Sequence, residues 1–475
     1  MNTARRITAN FLSLLTSEII SKIIQLAVFI FLARYLGKEE FGVFSFGIAF
    51  GLLTVVIADF GLATLLIREI SRNKKEASRY LSNAFIVKIF LVIITISSAY
   101  IFLNLMGYKD EVKLVAYIML SFTILQSFTD LYYSIFRSFE RMHYDAVTKI
   151  ARMLILSIAI FYVIRNNFSL LTASLAFPIT ELIVLIMTII LVYTRFIKIS
   201  LDFDWKLSIN LLKISSFFCL SITFSSMFMY IDSIMLSKLR SISEVGIYAA
   251  ASNIVLALIF IPMMYANAIY PVISRLYISS KKTLKLAYER SFKYMLIIGL
   301  AVSAGVYSTS DKIILLLYGE SYKASSIVLS ILAWYLFLRF VNVISGFTLS
   351  SIDRQRSRLF SQGSAALLSI ALNMIFIPAY GFIGAAIATL ITEIIFFLIY
   401  TSFIFKYGIR INIIMIFVKP VIAALSMVAV LSFIENLFAA ILLGAFVYIA
   451  TLFVLRTIDN EDKRILSKII KNHRL

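Results

Sequence analysis

The chain has 475 residues, of which 61% are hydrophobic and 15% charged, with a net charge of +20 and a mean hydropathy of +0.95. Soluble domains contain roughly 45–50% apolar and about 25% charged residues, so this composition excludes an ordinary soluble fold. The single cysteine, Cys219, excludes an internal disulfide.

Apolar runs recur along the whole chain, each about 20 residues long, which is the length that crosses about 30 Å of hydrocarbon. Because lipid offers no hydrogen-bond partners to the backbone, these runs must be helices. They predict an all-α polytopic membrane protein with about fourteen transmembrane helices. No loop is long enough for a folded catalytic domain, so no enzyme is predicted. The helices are expected near residues 11–32, 41–66, 81–103, 113–136, 150–164, 170–194, 209–236, 246–272, 291–309, 324–350, 357–377, 380–405, 412–433 and 436–456.

The basic residues indicate how the helices are oriented. If the amino terminus is cytoplasmic, the inside segments hold most of the 45 Lys and Arg residues, as the positive-inside rule requires. This predicts cytoplasmic amino and carboxyl termini, in the cell membrane, with the basic loops beside anionic lipids. Nucleic-acid binding is not predicted, because the charges are scattered over short loops. Residues 458–475 combine an apolar stripe with basic residues and predict an amphipathic cytoplasmic tail.

Two short stretches of sequence recur, in the same order, much further along the chain. Short apolar strings coincide easily, but two matches in the same order indicate a six-helix unit used twice. The matching pairs are LARYLGKEEFGVF (32–44) with LSKLRSISEVGIY (236–248), which aligns Gly42 with Gly246, and ASLAFPITEL (173–182) with AAIATLITEI (385–394), which aligns Glu181 with Glu393.

The repeat predicts the domain organisation. Six is an even number, so both copies enter the membrane from the same side and form parallel lobes, at residues 1–198 and 199–408. Residues 409–457 supply two further helices outside the repeat. Parallel repeats about an axis along the membrane normal are a device of secondary transporters. We therefore expect a substrate to be held between the lobes and moved by alternating access.

Three stretches resemble a known family of membrane proteins. They are similar to the prokaryotic polysaccharide-biosynthesis membrane proteins, the O-antigen and lipid-linked oligosaccharide flippases of the multidrug/oligosaccharidyl-lipid/polysaccharide exporter superfamily. The resemblance spans almost the whole chain, and it includes the two lobes and the terminal helix pair. The stretches are LARYLGKEEFGVFSFG (32–47), IADFGLATLLIREISRNK (57–74) and IPAYGFIGAAIATLITE (377–393).

This resemblance implies a function that the composition does not show. Members of the family move a polyprenyl-phosphate-linked oligosaccharide from the inner to the outer leaflet, for the assembly of surface polysaccharide. It also implies glycan polymerases or glycosyltransferases as partners, and no cofactor. The sequence has no GxxxxGK[ST] loop for nucleotide phosphates, so direct drive by ATP is not expected.

Three alternatives remain at this point. The first is a cation-coupled multidrug efflux antiporter, which would need an acidic cavity rather than the basic one argued below. The second is a lipid II flippase, which also has fourteen helices. The third is a scaffold or glycan polymerase in envelope assembly, for which a duplicated six-helix unit is not needed.

Ionisable residues inside the membrane are the best candidates for a site, because an Arg at the centre of a helix costs about 2.5–3.5 kcal/mol on insertion scales. Arg339 lies halfway along the tenth predicted helix, where a guanidinium could bind a pyrophosphate through paired hydrogen bonds. Trp334, Tyr335 and Asn342 accompany it and could contact sugar rings. The alternative is a buried ion pair of Arg339 with Glu393, with the aromatic residues serving in packing.

Two lysines extend this candidate substrate site. Lys22 in the first helix could bind substrate phosphates, or it could pair with Glu18, which precedes it by four residues on the same helix. Lys88 lies about two turns inside the third helix and could bind substrate or extend its ammonium group towards the membrane surface.

The acidic residues are candidates for ion coupling or gating. Glu181 and Glu393 occupy equivalent positions in the two lobes and could carry a proton or bind Na⁺, or could serve only as structural hydrogen-bond acceptors. Asp59 lies in the same segment as Arg68 and is interpreted as part of a gate pair. Asp232 lies near the outer end of the seventh helix and is a further coupling or gating candidate. Glu18 belongs to this acidic group as well.

Overall fold

The computed structural model describes residues 3–198, 203–457 and 462, with side chains from residue 14 onwards. Every regular element in these residues is helical. The predicted tail at 458–475 lies outside the described residues, apart from Asp462. The helices are α1 (Thr3–Asp59), α2 (Leu62–Arg72), α3 (Ala77–Leu105), α4 (Asp110–Ser138), α5 (Met142–Arg165), α6 (Leu170–Arg195), α7 (Trp205–Leu239), α8 (Ile242–Leu258), α9 (Phe260–Ser279), α10 (Lys281–Tyr318), α11 (Ser325–Ser351), α12 (Gln355–Lys406), α13 (Ile413–Leu431) and α14 (Leu437–Val454), with 3-10 turns at Lys74–Glu76 and Glu320–Tyr322.

Twelve helical stretches in the described part of the chain are long and apolar enough to cross a membrane. Two of them, Leu14–Asp59 and Gln355–Lys406, have 46 and 52 residues, about twice the length that one crossing needs. Each is interrupted by a glycine with positive φ, Gly37 (φ 71°) in α1 and Gly381 (φ 59°) in α12. Glycine adopts this backbone conformation without a steric penalty. Divided at these glycines, the twelve stretches supply the fourteen crossings predicted from the sequence.

Some predicted helix ends were wrong, because polar residues continue the helices beyond the apolar runs. The predicted helix at 150–164 begins at Met142, and the one at 291–309 is the central part of α10. The predicted helix at 246–272 is two helices, α8 and α9, which meet at Ile259. Pro262 has no N–H to donate to the carbonyl of Leu258, which explains why the helix is interrupted there.

The chain forms two compact units, which do not follow the predicted lobe boundaries. The first consists of Met1–Ala257 with Gln362–Ala388, and the second of Leu258–Ser361 with Thr389–Leu475. The lobes at 1–198 and 199–408 therefore stay a prediction from the repeat. In the first unit, helices α2, α3, α4 and α6 bury a common apolar core, with Leu65, Leu81, Leu131, Phe136 and Leu185 among its members.

Small residues allow close helix packing in the second unit. A Cβ at Gly299 of α10 would lie 3.0 Å from the Cβ of Phe340 in α11. A Cβ at Gly444 of α14 would lie 3.0 Å from the terminal methyl group of Met427 in α13. Tyr448 of α14 donates a hydrogen bond to the carbonyl of Ile297 in α10 (2.8 Å). Close van der Waals packing of this kind holds helices together in lipid, where there is little water to exclude.

The two copies of the repeated stretch cross each other in the first unit. A Cβ on Gly42 would lie 2.0 Å from the carbonyl oxygen of Ile242, and a Cβ on Gly246 would lie 2.1 Å from the carbonyl oxygen of Lys38. Lys38 and Ile242 are also equivalent in the repeat, so the contact is the same from both sides, as in an isologous interface. Only glycine fits at either position while the helices are in this contact.

Candidate functional site

A chain of ionic groups joins α1, α4 and α5 in the first unit. Lys149 of α5 donates a hydrogen bond to the carboxylate of Glu18 in α1, and its ammonium lies 3.2 Å from Asp145, one turn earlier in α5. Arg137 of α4 donates through Nε to the other oxygen of Asp145 (2.8 Å), whose side chain is fully buried. The Asp145 carboxylate thus contacts two cations, which compensates for its removal from water.

Glu18 and Lys22 have hydrogen-bond partners other than each other. Glu18 is bonded to Lys149 instead, while Lys22 donates to the side-chain carbonyl of Gln25 in its own helix (3.1 Å). Lys149 can reach Glu18 because α5 begins at Met142, earlier than predicted, and brings Lys149 against α1. Lys22 remains partly buried and stays a candidate for substrate binding.

A second ionic contact of the first unit surrounds Glu181. This glutamate of α6 is fully buried, and its Oε1 accepts a hydrogen bond from the hydroxyl of Thr129 in α4 (2.7 Å). Its Oε2 lies 3.3 Å from Nη1 of Arg152 in α5, and 12% of the Arg152 side chain is exposed. The carboxylate is therefore neutralised within the protein, by an arginine whose side chain is largely buried.

Lys88 and Asp59 form a further pair. The ammonium of Lys88 in α3 is fully buried, lies 3.3 Å from the carboxylate of Asp59 at the end of α1, and lies 5.6 Å from the ring centre of Phe128. Lys88 therefore does not extend to the membrane surface. Asp59 thus pairs with Lys88 and not with Arg68, which bonds to Glu69, its neighbour in sequence (2.7 Å); a gating role for Asp59 stays a prediction.

In the second unit, Arg339 and Asn342 of α11 converge on Glu393 of α12. The Asn342 amide donates to Oε1 of Glu393 (2.8 Å), and Nη1 of Arg339 lies 3.6 Å from Oε2. Glu393 is fully buried, whereas 18% of the Arg339 side chain is exposed. Tyr335 is buried beside them, and Trp334 is half-exposed, with its ring centre 5.6 Å from that of Tyr307. The ion pair foreseen as an alternative is thus present.

The two repeats place their equivalent glutamates in the same kind of contact. Thr129 and Asn342 both lie on the fourth helix of a repeat, and each donates to Oε1 of the glutamate on the sixth helix. Each glutamate also lies close to an arginine, although Arg152 comes from α5 and Arg339 from α11. The recurring Ile-Thr-Glu triplet therefore marks a duplicated polar contact, one copy in each unit.

Asp232 has a different environment. Its carboxylate in α7 is buried and accepts hydrogen bonds from the hydroxyl of Tyr248 in α8 (2.8 Å) and from the amide of Asn373 in α12 (2.6 Å). These contacts tie three helices of the first unit together. Sequence reasoning placed Asp232 near a helix end and did not predict either partner.

The sequence analysis did not single out four ionic residues of the first unit: Arg137, Asp145, Lys149 and Arg152. The spacing of Asp145, Lys149 and Arg152 places them on one face of a helix, which is the signal that was available. It went unused because the helix was expected to start at residue 150. Within the described residues no three His, Cys, Asp or Glu side chains are grouped to hold a metal ion. In each unit the ionic contacts combine a buried carboxylate with a basic side chain that remains partly exposed, which suits an anionic ligand.

Comparisons with known proteins identify similar chains and folds. The profile of the polysaccharide biosynthesis protein family matches residues 7–277, and the MatE profile matches residues 218–375. A protein named as a probable low-salt glycan biosynthesis flippase, Agl15 of Haloferax volcanii, is 25% identical over 366 residues, which cover 76% of this chain and 75% of the relative. A candidate O-antigen transporter of Shigella flexneri is 25% identical over 372 residues, 75% of this chain and 88% of the relative.

Solved structures show the same fold at lower sequence identity. The lipid II flippase MurJ in an inward closed conformation superposes with a TM-score of 0.78 at 19% identity, covering 93% of this chain and 98% of that protein. An inward-facing multidrug resistance transporter of the MATE family gives a TM-score of 0.69 at 18% identity, covering 81% and 95%. Both are polytopic transport proteins, and at this identity the likeness establishes the fold.

Proposed function

Because the chain belongs to the polysaccharide biosynthesis protein family, we propose that it is a flippase for a polyprenyl-phosphate-linked oligosaccharide. The protein moves this lipid from the inner to the outer leaflet of the cell membrane by alternating access, for the assembly of surface glycan. Relatives named as a glycan biosynthesis flippase and an O-antigen transporter support this assignment. Glycosyltransferases that build the glycan, and polymerases that extend it, are the partners that such a transporter requires.

The observation that carries the proposal is the Arg339 guanidinium. It lies within a membrane span, next to a fully buried carboxylate, on a side chain that is 18% exposed although its Nε is buried. A cation at this depth is expensive, so it is kept where it pairs or faces a polar cavity. A pyrophosphate linkage supplies the bidentate acceptor that a guanidinium binds well. An efflux pump for cationic drugs would instead need an acidic group at the exposed position.

Binding follows from the contacts around Glu393. A substrate phosphate approaches the exposed part of Arg339 and takes over part of the charge interaction with Glu393. Asn342 still donates to Glu393 after this exchange, so the carboxylate keeps a hydrogen bond. In the first unit, Lys22, Lys149 and Arg152 offer further partly exposed cations to phosphate groups. The half-exposed ring of Trp334 can stack on a sugar.

Coupling to an ion is assigned to the duplicated glutamates. Glu181 and Glu393 each have one hydrogen-bond donor and one arginine as neighbours, so uptake of a proton would weaken the ion pair without breaking the hydrogen bond. The protonation state of each carboxylate then decides whether its arginine is available to the substrate. This links a proton gradient to phosphate binding in both units.

Substitutions at the Arg339 pair test the proposal in proteoliposomes that contain a fluorescent lipid-linked oligosaccharide. Removal of the cation in Arg339→Met should lower the transfer rate by roughly 10- to 150-fold, because a hydrogen bond to a charged group contributes about 1.5–3 kcal/mol. The double variant Arg339→Met/Glu393→Gln removes both charges. It should stay as slow as the single variant if the arginine binds the substrate. Recovery of transfer in the double variant would show that Arg339 only neutralises Glu393.

Two controls complete the experiment. Lys323→Met removes an exposed cation of the second unit and should leave the rate unchanged. Arg339→Lys should be partly active if charge alone matters and inactive if two parallel hydrogen bonds are needed. Lipid II and a cationic drug, offered separately to the wild-type protein, distinguish the lipid-linked oligosaccharide flippase from a lipid II flippase and from an efflux antiporter of the same fold.

A further inference from the structure

A pocket of about 540 Å³ lies in the second unit, where α12 ends, α13 begins and the first turns of α10 pass nearby. We propose that this pocket binds an anionic phospholipid, with the headgroup phosphate on its two cations and the start of an acyl chain on its apolar wall. The proposal does not depend on the flippase function. The lining residues are Lys285, Phe405, Arg410, Ile411, Asn412, Ile413 and Ile414.

The position of the pocket points to the headgroup region of the membrane. Three candidate membrane spans have an end there: the span Lys281–Tyr318 begins, Gln355–Lys406 ends, and Ile413–Leu431 begins. The ends of apolar spans lie at the depth of lipid phosphates and glycerol groups. An open pocket at that depth is exposed to lipid from the leaflet on that side.

The lining has the chemistry of a lipid with a negative headgroup. Lys285 and Arg410 are both exposed, and no carboxylate is among the described lining residues. Basic pockets between membrane helices are typical binding places for anionic lipid headgroups. The other side is apolar: Ile414 is 76% exposed, which is costly in water but favourable against an acyl chain. A free phosphate ion would use the two cations and leave this apolar wall uncovered.

The backbone around the pocket adds partial charges of both signs. The turn after α12 contains Gly408 with φ 86°, and Asn412 begins α13 by accepting a hydrogen bond from the N–H of Met415 (3.2 Å). The amino end of α13 thus lies at the pocket, next to Arg410. Its partial positive charge favours an anion there, while the carboxyl end of α12 at the same pocket opposes it, so the two basic side chains carry the preference for an anion.

Native mass spectrometry of the purified full-length protein tests the proposal. Dioleoyl phosphatidylglycerol is added to the protein in detergent, and dioleoyl phosphatidylcholine is added to a second sample. We expect one phosphatidylglycerol to be retained at concentrations where phosphatidylcholine is not. The double variant Lys285→Gln/Arg410→Gln should weaken this retention about thirtyfold, because each basic side chain near an anionic lipid contributes about 1 kcal/mol.

A matched control separates the pocket from the general basic charge of the protein. Lys75→Gln/Lys206→Gln removes the same charge from exposed positions elsewhere and should keep the lipid. An unchanged melting temperature without lipid, and elution as a single peak, show that the test variant is folded. If it unfolds, the single variant Arg410→Gln, with a fivefold effect expected on the same basis, replaces it.

Several results would overturn the proposal. One is equal retention of the two lipids, and another is equal loss of phosphatidylglycerol in the matched control. Displacement of the lipid by millimolar inorganic phosphate would assign the pocket to a free anion. Loss of the lipid on deletion of residues 463–475, with Lys285 and Arg410 intact, would assign binding to the basic carboxyl-terminal segment.

Discussion

The reciprocal crossing of Gly42 and Gly246 should behave as a contact of one transport state. An alanine at position 246 would place its Cβ 2.1 Å from the carbonyl oxygen of Lys38, whereas carbon and oxygen atoms in weak contact are about 3.3–3.6 Å apart. The two helices must therefore separate by more than about 1 Å to accept one methyl group. Overpacking of this kind costs about 1–3 kcal/mol.

In an alternating-access transporter this cost falls on the state that contains the contact. The population of that state should decrease roughly 5- to 150-fold relative to a state in which the stretches are apart. Gly42→Ala should have the same effect, because the contact is reciprocal. The double variant should show less than the sum of the two effects, since one methyl group already separates the helices.

Double electron–electron resonance between two spin labels measures this shift in population. Cysteines at Leu105 and Leu239, in a Cys219→Ala background, place labels on exposed positions at the ends of α3 and α7. These ends are neighbours, because the Lys238 ammonium donates a hydrogen bond to the carbonyl of Met106 (2.6 Å).

The labelled protein with both glycines intact should show mainly a short distance between the labels. In the Gly246→Ala protein much of this population should move to a longer distance. Gly305→Ala is the matched control, because its Cβ would meet only the flexible end of Met427 (3.2 Å). An unchanged distance distribution in a folded Gly246→Ala protein would refute the reasoning. The reasoning would also fail if Gly246→Ala reduced the amount of folded protein and the remaining protein showed no population at a longer label distance.

Four further predictions concern single side chains. Lys88→Met should destabilise the protein by about 1.5–3 kcal/mol, because the half-buried Asp59 loses a charged hydrogen-bond partner, and Lys88→Met/Asp59→Asn should recover much of the loss in thermal unfolding. Asp232→Ala should cost about 1–3 kcal/mol in the same assay, since two buried donors lose their acceptor. Glu181→Gln should reduce the response of the transport rate to an imposed pH gradient, and Glu181→Gln/Glu393→Gln should abolish it; an unchanged response in Glu181→Gln would exclude Glu181 from coupling. Backbone N–H groups at the start of α7 donate to the Asp204 carboxylate, as does the guanidinium of Arg79 in α3, and these hydrogen bonds lower the pKa of Asp204. The carboxylate therefore stabilises the fold at pH values above the ordinary carboxyl pKa. This stabilisation is lost as the pH falls through the lowered pKa. The melting temperature of Asp204→Ala should accordingly lie below that of the wild type at neutral pH and approach it in acid.

The fold could be predicted well because membrane insertion depends on local sequence. The lengths of the apolar runs predicted the membrane crossings. Gly37, which divides α1, lies in the predicted interruption at residues 33–40, and Gly381, which divides α12, lies two residues after the predicted interruption at 378–379. The repeat was informative for a different reason. Duplicated sequence retains duplicated contacts, so the alignment of Glu181 with Glu393 anticipated equivalent environments for both.

The partners in the ionic contacts could not be predicted in the same way. Asp59 pairs with Lys88 and Glu18 with Lys149 across helices that are far apart in sequence. Such pairs depend on which helix faces meet, and hydropathy carries no information on that. Asp145 and Lys149 were left outside the predicted helix at 150–164, because a polar start of α5 lowers the average hydropathy without preventing helix formation.

The central claim is that the wild-type protein transfers a lipid-linked oligosaccharide between leaflets. The most direct measurement reconstitutes the protein in liposomes with a polyprenyl-pyrophosphate oligosaccharide confined to one leaflet, and follows its access to a membrane-impermeant glycosidase. With the protein present, the glycan should become accessible far faster than in protein-free liposomes, while a phosphatidylcholine probe of the same label should not. Equal rates with and without the protein, under imposed proton and sodium gradients of either direction, would contradict the central claim.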